Sequence, residues 1–382
     1  PNGTADEVDL HARDSSKRTL SLLMPFPSFL RTASLLVALT LLAGCYYLQA
    51  AGGQLEVLNK REPIDAVIGD PDTPAETARR LDLLRRARSF SVVELELPDN
   101  ESYRSYSDLD RDYVVWNVVA APELAVEPRT WCFPVAGCVA YRGYFSRDKA
   151  WRKAEALEAR GYDVFVGGAT AYSTLGKFND PVLSTMLGRD DTELVALLFH
   201  ELAHQVLYVK GDTSFNESFA SAVEELGVER WLDSEGSEGD LERWQKDRSW
   251  SADLTRIALE GRDDLQQLFD SSLDDKEKRA RKAARLEQLT SDLVLRASAA
   301  GIDATRWWQE QPLNNARLAS WSAYESHVPA FRQVFADCEE DFGCFYDAAA
   351  SLAALDDRAR RAELDALSNR RSSPATAANA LP

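Results

Sequence analysis

Histidine is scarce in this chain, with four in 382 residues. Positive charge is short as well: 44 Lys and Arg stand against 62 Asp and Glu, a formal net charge of −18. So acidic a chain has no basic face to neutralise phosphates, which excludes nucleic acid as a partner and makes an anionic membrane surface an equally poor one. Long apolar runs are missing too. The most apolar stretch, Thr32 to Ala43, is only about a dozen residues, too short to span a bilayer comfortably. No internal repeat is present. What the chain does have is 45% hydrophobic residues, enough for a real core in one large or two medium domains.

Two of the four histidines fall in one short block, His200-Glu201-Leu202-Ala203-His204. Four residues make roughly one helical turn, so both imidazoles project from one face and can bind a single metal. Glu201 sits beside His200, where it can hold and deprotonate a water. The preceding run Leu194-Val195-Ala196-Leu197-Leu198-Phe199 is apolar enough to bury the helix, and no Gly or Pro interrupts Val195 to Lys210. Gly211 to Ser214 reads as a turn and Asn216 as the N-cap of a second helix, with Glu217 in its first turn. Catalytic zinc takes three protein ligands and keeps one position open, and Glu217 is the natural third. A third-histidine site would need Gly at 207 and His at 210; Leu207 and Lys210 exclude it.

The block Asn216-Glu217-Ser218-Phe219-Ala220-Ser221-Ala222-Val223-Glu224-Glu225-Leu226-Gly227 is similar to the second active-site helix of the aminopeptidase N family, which usually reads NEGFASxVExLG. That resemblance implies a gluzincin site with one zinc ion per chain, on His200, His204 and Glu217, and with Glu201 as the base. Twelve residues separate His204 from Glu217 where that family typically has eighteen, and Glu224, at a thermolysin-like count, is the alternative ligand or a carboxylate that orients a zinc-bound histidine. Segments such as Tyr46-Tyr47-Leu48-Gln49-Ala50, Trp131 to Cys138, Ala171 to Gly176 and Asn314-Asn315-Ala316-Arg317-Leu318 resemble more closely a family of Gram-negative bacterial proteins named as aminopeptidases, from about Gly44 to about Leu367. In gluzincins the strand about thirty residues before the zinc helix pairs with substrate backbone, which here implies Gly167, Gly168 and Ala169. The glutamate that grips a free amino terminus in the aminopeptidase N family falls on Thr170, leaving Glu224 or Glu225 for that role. The resemblance also implies an oxyanion donor downstream, Tyr324 ahead of His327; Tyr208 shares the histidine face and reads as a packed core residue.

Met24 to Ala43 reads as a secretory signal, and Leu42-Ala43-Gly44-Cys45 resembles a bacterial lipobox that would place lipid on Cys45. The expected location is a Gram-negative envelope, facing the periplasm, with membrane attachment through that lipid. Cys132, Cys138, Cys338 and Cys344 remain. An even count in an exported chain suggests disulfides, most simply 132–138 and 338–344, although three connectivities are open.

The layout expected is an α+β fold with a gluzincin-like core: a leader over 1–44 (1–23 upstream of the true start), a helical segment over 45–97, a zinc-peptidase core over 98–230, a helical part closing the cleft over 231–370 and a disordered tail over 371–382. The function expected is zinc-dependent hydrolysis of peptides, as an aminopeptidase. An endopeptidase with the same site and a non-catalytic, zinc-stabilised lipoprotein scaffold are the alternatives. Nothing in the sequence sets the oligomeric state.

Overall fold

The structure is a computed structural model that describes residues 46–133, 137–304, 308–325 and 327–372, without the side chains of 322–325, 371 and 372. The leader, Cys45 and the tail beyond 372 lie outside the described residues. Two compact units divide the chain after Leu48. Of the first, only residues 46–48 are described, and they are helical. The second, Gln49–Pro382, holds all the remaining elements.

The fold is mixed α+β and mostly helical. Helix α1 over 49–59 precedes β1 (Arg61–Pro63), α2 (Ile64–Gly69) and α3 (Ala75–Val93). Short strands come next: β2 (Ser105–Ser107), β3 (Val115–Pro122), β4 (Trp131–Phe133), β5 (Gly137–Val139) and β6 (Tyr141–Tyr144). Helix α4 (Arg147–Glu158) is capped by the Ser146 hydroxyl, and β7 (Tyr162–Ala169) and β8 (Val182–Leu183) come after it. The main sheet is antiparallel in the order β6-β3-β7, with Asn117 opposite Gly167 and Val119 opposite Phe165. Side chains alternate across it. On one face Val119, Ala121 and Phe165 pack on Ala316, while on the other the Arg147 guanidinium of α4 lies over Trp116. A second small sheet, β1-β2-β8, and the β4–β5 hairpin complete the strands.

Helix α5 (Asp191–Val206) starts where the Asp190 carboxylate accepts the Glu193 amide, and it buries Leu194, Val195, Leu198, Phe199 and Leu202. It stops at Leu207, whose backbone is extended. Helix α6 (Thr213–Glu235) begins earlier than the Asn216 cap expected from the sequence. Asp212 is the cap: its carboxylate accepts the Phe215 amide and is held in turn by the buried Arg360. Asn216 has another task. Its side-chain amide pairs with both backbone groups of Val209, at 2.7 and 2.8 Å, and this fixes the short bend between the two helices. Gly227 completes the packing of α6 on α5. A Cβ there would stand 2.8 Å from Leu95 Cδ1 and 3.0 Å from Phe199 Cδ2, so a larger residue would push these buried side chains aside.

Helices α7 (Asp240–Asp270) and α8 (Asp275–Ala299) form an antiparallel hairpin with its own apolar core of Leu254, Leu265, Leu289 and Leu293. Helix α7 runs unbroken through Gly261, where Leu289 of α8 fills the space beside the glycine. Two shorter helices follow, α9 (Asn315–Glu325) and α10 (Val328–Asp337). Pro329, which lacks an amide proton, sits in the first turn of α10. Helices α11 (Phe342–Ala353) and α12 (Asp357–Ser372) end the fold.

Both expected disulfides are formed. Cys132 and Cys138 face each other across the β4–β5 hairpin, and Cys338–Cys344 ties the end of α10 to the start of α11. Among the described residues no helix is long and apolar enough to cross a membrane.

Candidate metal centre

Helix periodicity places His200 and His204 one turn apart on α5, and α6 brings Glu217 against them. His200 Nε2 is 3.4 Å and His204 Nε2 3.7 Å from Glu217 Oε2, and one ligand atom from each residue lies within 4.8 Å of the others. All three side chains are buried. Two imidazole nitrogens and one converging carboxylate oxygen make a donor set suited to a divalent transition metal. The residues present therefore fit an ion. Glu217, not Glu224, completes the set.

Glu224 stands behind it. Its Oε2 is 3.0 Å from His200 Nδ1, a contact that puts the imidazole proton on Nδ1 and leaves Nε2 as the free donor atom. Arg248 approaches the other oxygen of Glu224 at 3.7 Å. Burial works against charge on His200, yet Glu217 and Glu224 on its two sides raise its pKa well above the ordinary imidazole value. Burial likewise opposes charge on Glu217, but His204 and then His200 hold that carboxyl well below the usual carboxylate range. The field is that of a cation site. Glu224→Ala, which frees the His200 ring to turn, should weaken binding of a divalent metal by about 10- to 100-fold. Competition with a chromogenic chelator would measure it, and an unchanged affinity would rule out the orienting role.

Glu201 is buried next to this group. Burial is the largest influence on its carboxyl and pushes its pKa up, while the two histidines pull it down and Glu217 and Asp180 push it up further. A carboxylate raised in this way is a better proton acceptor than a solvated one.

Asp180, which the sequence does not single out, lies 3% exposed near Glu201 and accepts from Thr174 N at 2.8 Å and Thr174 Oγ1 at 2.7 Å. Burial outweighs these bonds and lifts its carboxyl to about 6 from 3.8. Between those values the folded protein keeps a proton that the unfolded chain has lost, so this group lowers stability as pH rises from about 4 to about 6. Asp180→Asn should remove that slope, on the order of 2–3 kcal/mol in all. Melting curves of both proteins at several pH values would show it, and parallel slopes would refute it.

Gly167, Gly168 and Ala169 form the last three positions of β7. The outer edge of β7 is largely occupied. Gln311 bonds both backbone groups of Val166, at 2.8 and 2.9 Å, Asn314 donates to Val164 O at 2.9 Å, and Thr185 takes Thr170 O at 2.5 Å. Gly168 lies on that edge between Val166 and Thr170, which are engaged in this way. The Thr170 hydroxyl accepts from Arg189 at 3.3 Å, and Arg189 in turn acts on Glu224, which connects the end of the strand to the histidines.

Of the other expected residues, Tyr324 lies in α9 with its side chain outside the described residues. The His327 ring is largely buried, which lowers its pKa, and its charged neighbours are Asp365, Asp212 and Arg361 rather than the metal group. Tyr208 lies just past the end of α5 in the loop, half-buried, and burial and then Glu217 raise its pKa. Neither Glu224 nor Glu225 is left over to grip an amine: the first serves His200, and the second pairs with Arg332 at 3.0 Å.

Comparison with curated proteins and with solved structures gave no match. The profile of a family described as "Putative aminopeptidase" matches residues 45–364. Such a match takes in most of the chain and both helices that carry the His-His-Glu group, so the chain belongs to that family.

Proposed function

We propose that the protein is a zinc-dependent peptidase that removes residues from the amino terminus of peptides. The observation that carries this reading is the convergence of His200, His204 and Glu217 with Glu201 buried beside them. Zinc is the metal inferred from two imidazoles and one carboxylate, and when bound it supplies a Lewis acid that polarises a carbonyl and acidifies a water.

The chain's own residues do the rest. Glu201 takes the proton of the attacking water and returns it to the departing amine, so the carboxylate ends the cycle as it began. Glu224 holds the His200 ring in the tautomer that exposes Nε2. Gly168 offers a short stretch of strand edge to a substrate backbone, because Gln311 occupies both backbone groups of Val166 and Asn314 the Val164 carbonyl. A long substrate laid down as an added strand needs a run of alternate open groups, and this edge supports a short one. That favours action at a chain end and agrees with the family description. Tyr324, in α9, is the proposed oxyanion donor.

The endopeptidase reading draws on a different observation, that Glu224 and Glu225 are both engaged and cannot bind a free amine. Matched peptides with free and acetylated amino termini separate the two. Hydrolysis of the free peptides only supports the aminopeptidase, and hydrolysis of the acetylated ones overturns it. Cys45 as a lipid anchor, and a periplasmic face of a Gram-negative envelope as the location, complete the proposal; metabolic labelling with a fatty acid, lost in Cys45→Ser, tests both.

A further inference from the structure

One buried polar group near Glu201 has no part in the hydrolysis proposed for this site. Tyr103 is 2% exposed, and its hydroxyl has no hydrogen-bond partner among the described residues. Its backbone is left-handed, with φ 62°, an arrangement that costs an aromatic residue on the order of 1–3 kcal/mol. The surroundings hold it there. Arg88, 3% exposed, donates to Pro98 O, Asn100 O and Ser102 O at 2.7, 3.0 and 3.0 Å. The Asn100 side chain accepts from Ser102 N and donates to Gln205 Oε1 at 2.8 Å. Gln205 is one turn beyond Glu201 on the same face of α5, so the 98–103 loop docks on the side of the helix that carries Glu201. Finally, Tyr103 N donates to Asp180 O at 2.6 Å.

We propose that Tyr103 is a positioning residue whose hydroxyl donates a hydrogen bond to the Glu201 carboxylate when substrate and water fill the site. The assignment rests on the peptidase reading. Two acidic side chains are near enough to the phenol to act on it, Glu201 more strongly than Asp180. Each Asp180 oxygen already accepts a bond from Thr174, which makes Glu201 the more open acceptor. Burial, and then Glu201, raise the phenol pKa well above its ordinary value, so the group stays a donor. A buried hydroxyl with no partner destabilises the folded state, and phenylalanine would fill the same space without that cost. A buried tyrosine in a strained conformation, with an orphan donor on a loop docked beside the base, fits a role in turnover better than a role in packing.

Tyr103→Phe removes the hydroxyl and nothing else. The zinc-loaded full chain would be compared with Tyr103→Phe, Glu201→Gln and the double variant, reading melting temperature, zinc content, and kcat and KM on a peptide substrate. Tyr103→Phe should melt at the wild-type temperature or higher and keep its zinc. Its kcat should fall about 10- to 100-fold with KM within about twofold. Because Tyr103 acts through Glu201, the double variant should be no slower than Glu201→Gln alone. Wild-type kcat in Tyr103→Phe, a lower melting temperature, or a further loss in the double variant would each overturn the assignment. A wild-type protein that cleaves no peptide would instead overturn the peptidase reading and this role together.

Discussion

Glu201→Gln should lower peptide turnover by about two to four orders of magnitude while the protein stays folded and its metal stays bound. The substitution keeps the shape of the side chain and its place on α5 but removes the proton acceptor. Glu201 is not among the three residues that converge on the metal position, so metal content should match wild type. Stability should hold or rise, because burial already works against the charged carboxylate and the amide carries no charge to desolvate. Steady-state kinetics, metal analysis and a melting curve on one preparation test all three statements. If the variant kept more than about a tenth of the activity, Glu201 would not be the base. If it lost its metal, the ligand set would need revision. His204→Ala separates the cases further, since it should lose both metal and activity.

The second large effect concerns a buried ion pair far from the chemistry. Lys282 of α8 is 8% exposed, and its Nζ is 2.6 Å from Asp163 Oδ2 and 2.8 Å from Glu123 O. Asp163, near the start of β7, also accepts the Asn315 amide at 3.0 Å, while the Asn315 side chain donates to the carbonyls of Pro122, Glu123 and Ala125. One polar cluster thus fastens the α7–α8 hairpin and the start of α9 to the main sheet. Lys282→Met leaves Asp163 charged without its counter-ion and should cost about 3–5 kcal/mol. In a chain of this size that corresponds to a fall in melting temperature of roughly 5 °C. Adding Asp163→Asn, which keeps an acceptor for the Asn315 amide, should recover most of the loss. A single variant within about 1 kcal/mol of wild type would show that solvent reaches the pair and screens it.

The Asn314-Asn315-Ala316-Arg317 block drew attention in the sequence through resemblance alone, and its first two residues prove to be structural. Asn314 and Asn315 bond the strand edge and the loop after β3. That meaning was hidden, because their partners lie some 150 to 190 positions earlier in the chain. Arg88 left a fainter trace. It falls on the face of α3 that buries Leu81, Leu84 and Ala87, and a charge on an apolar stripe signals a buried partner without saying which. Tyr103 and Asp180 left none, since nothing in Ser102-Tyr103-Arg104 or Asn179-Asp180-Pro181 marks them from ordinary loop residues.

The division follows the range of the forces. Two histidines four apart meet because the helix repeats every 3.6 residues, and the apolar run before them buries that helix, so the metal motif and Glu201 were determined by neighbouring residues alone. Cysteines six apart closed short loops for the same reason of proximity. Local sequence did not decide where helices begin and end. Asp212 displaced Asn216 as a cap because Arg360, 148 residues away, holds its carboxylate, and α7 runs through Gly261, where Leu289 packs beside the glycine. Only the tertiary structure chose Glu217 over Glu224 as the third donor, since both lie on α6 and the crossing of that helix over α5 sets which carboxylate reaches Nε2 and which reaches Nδ1.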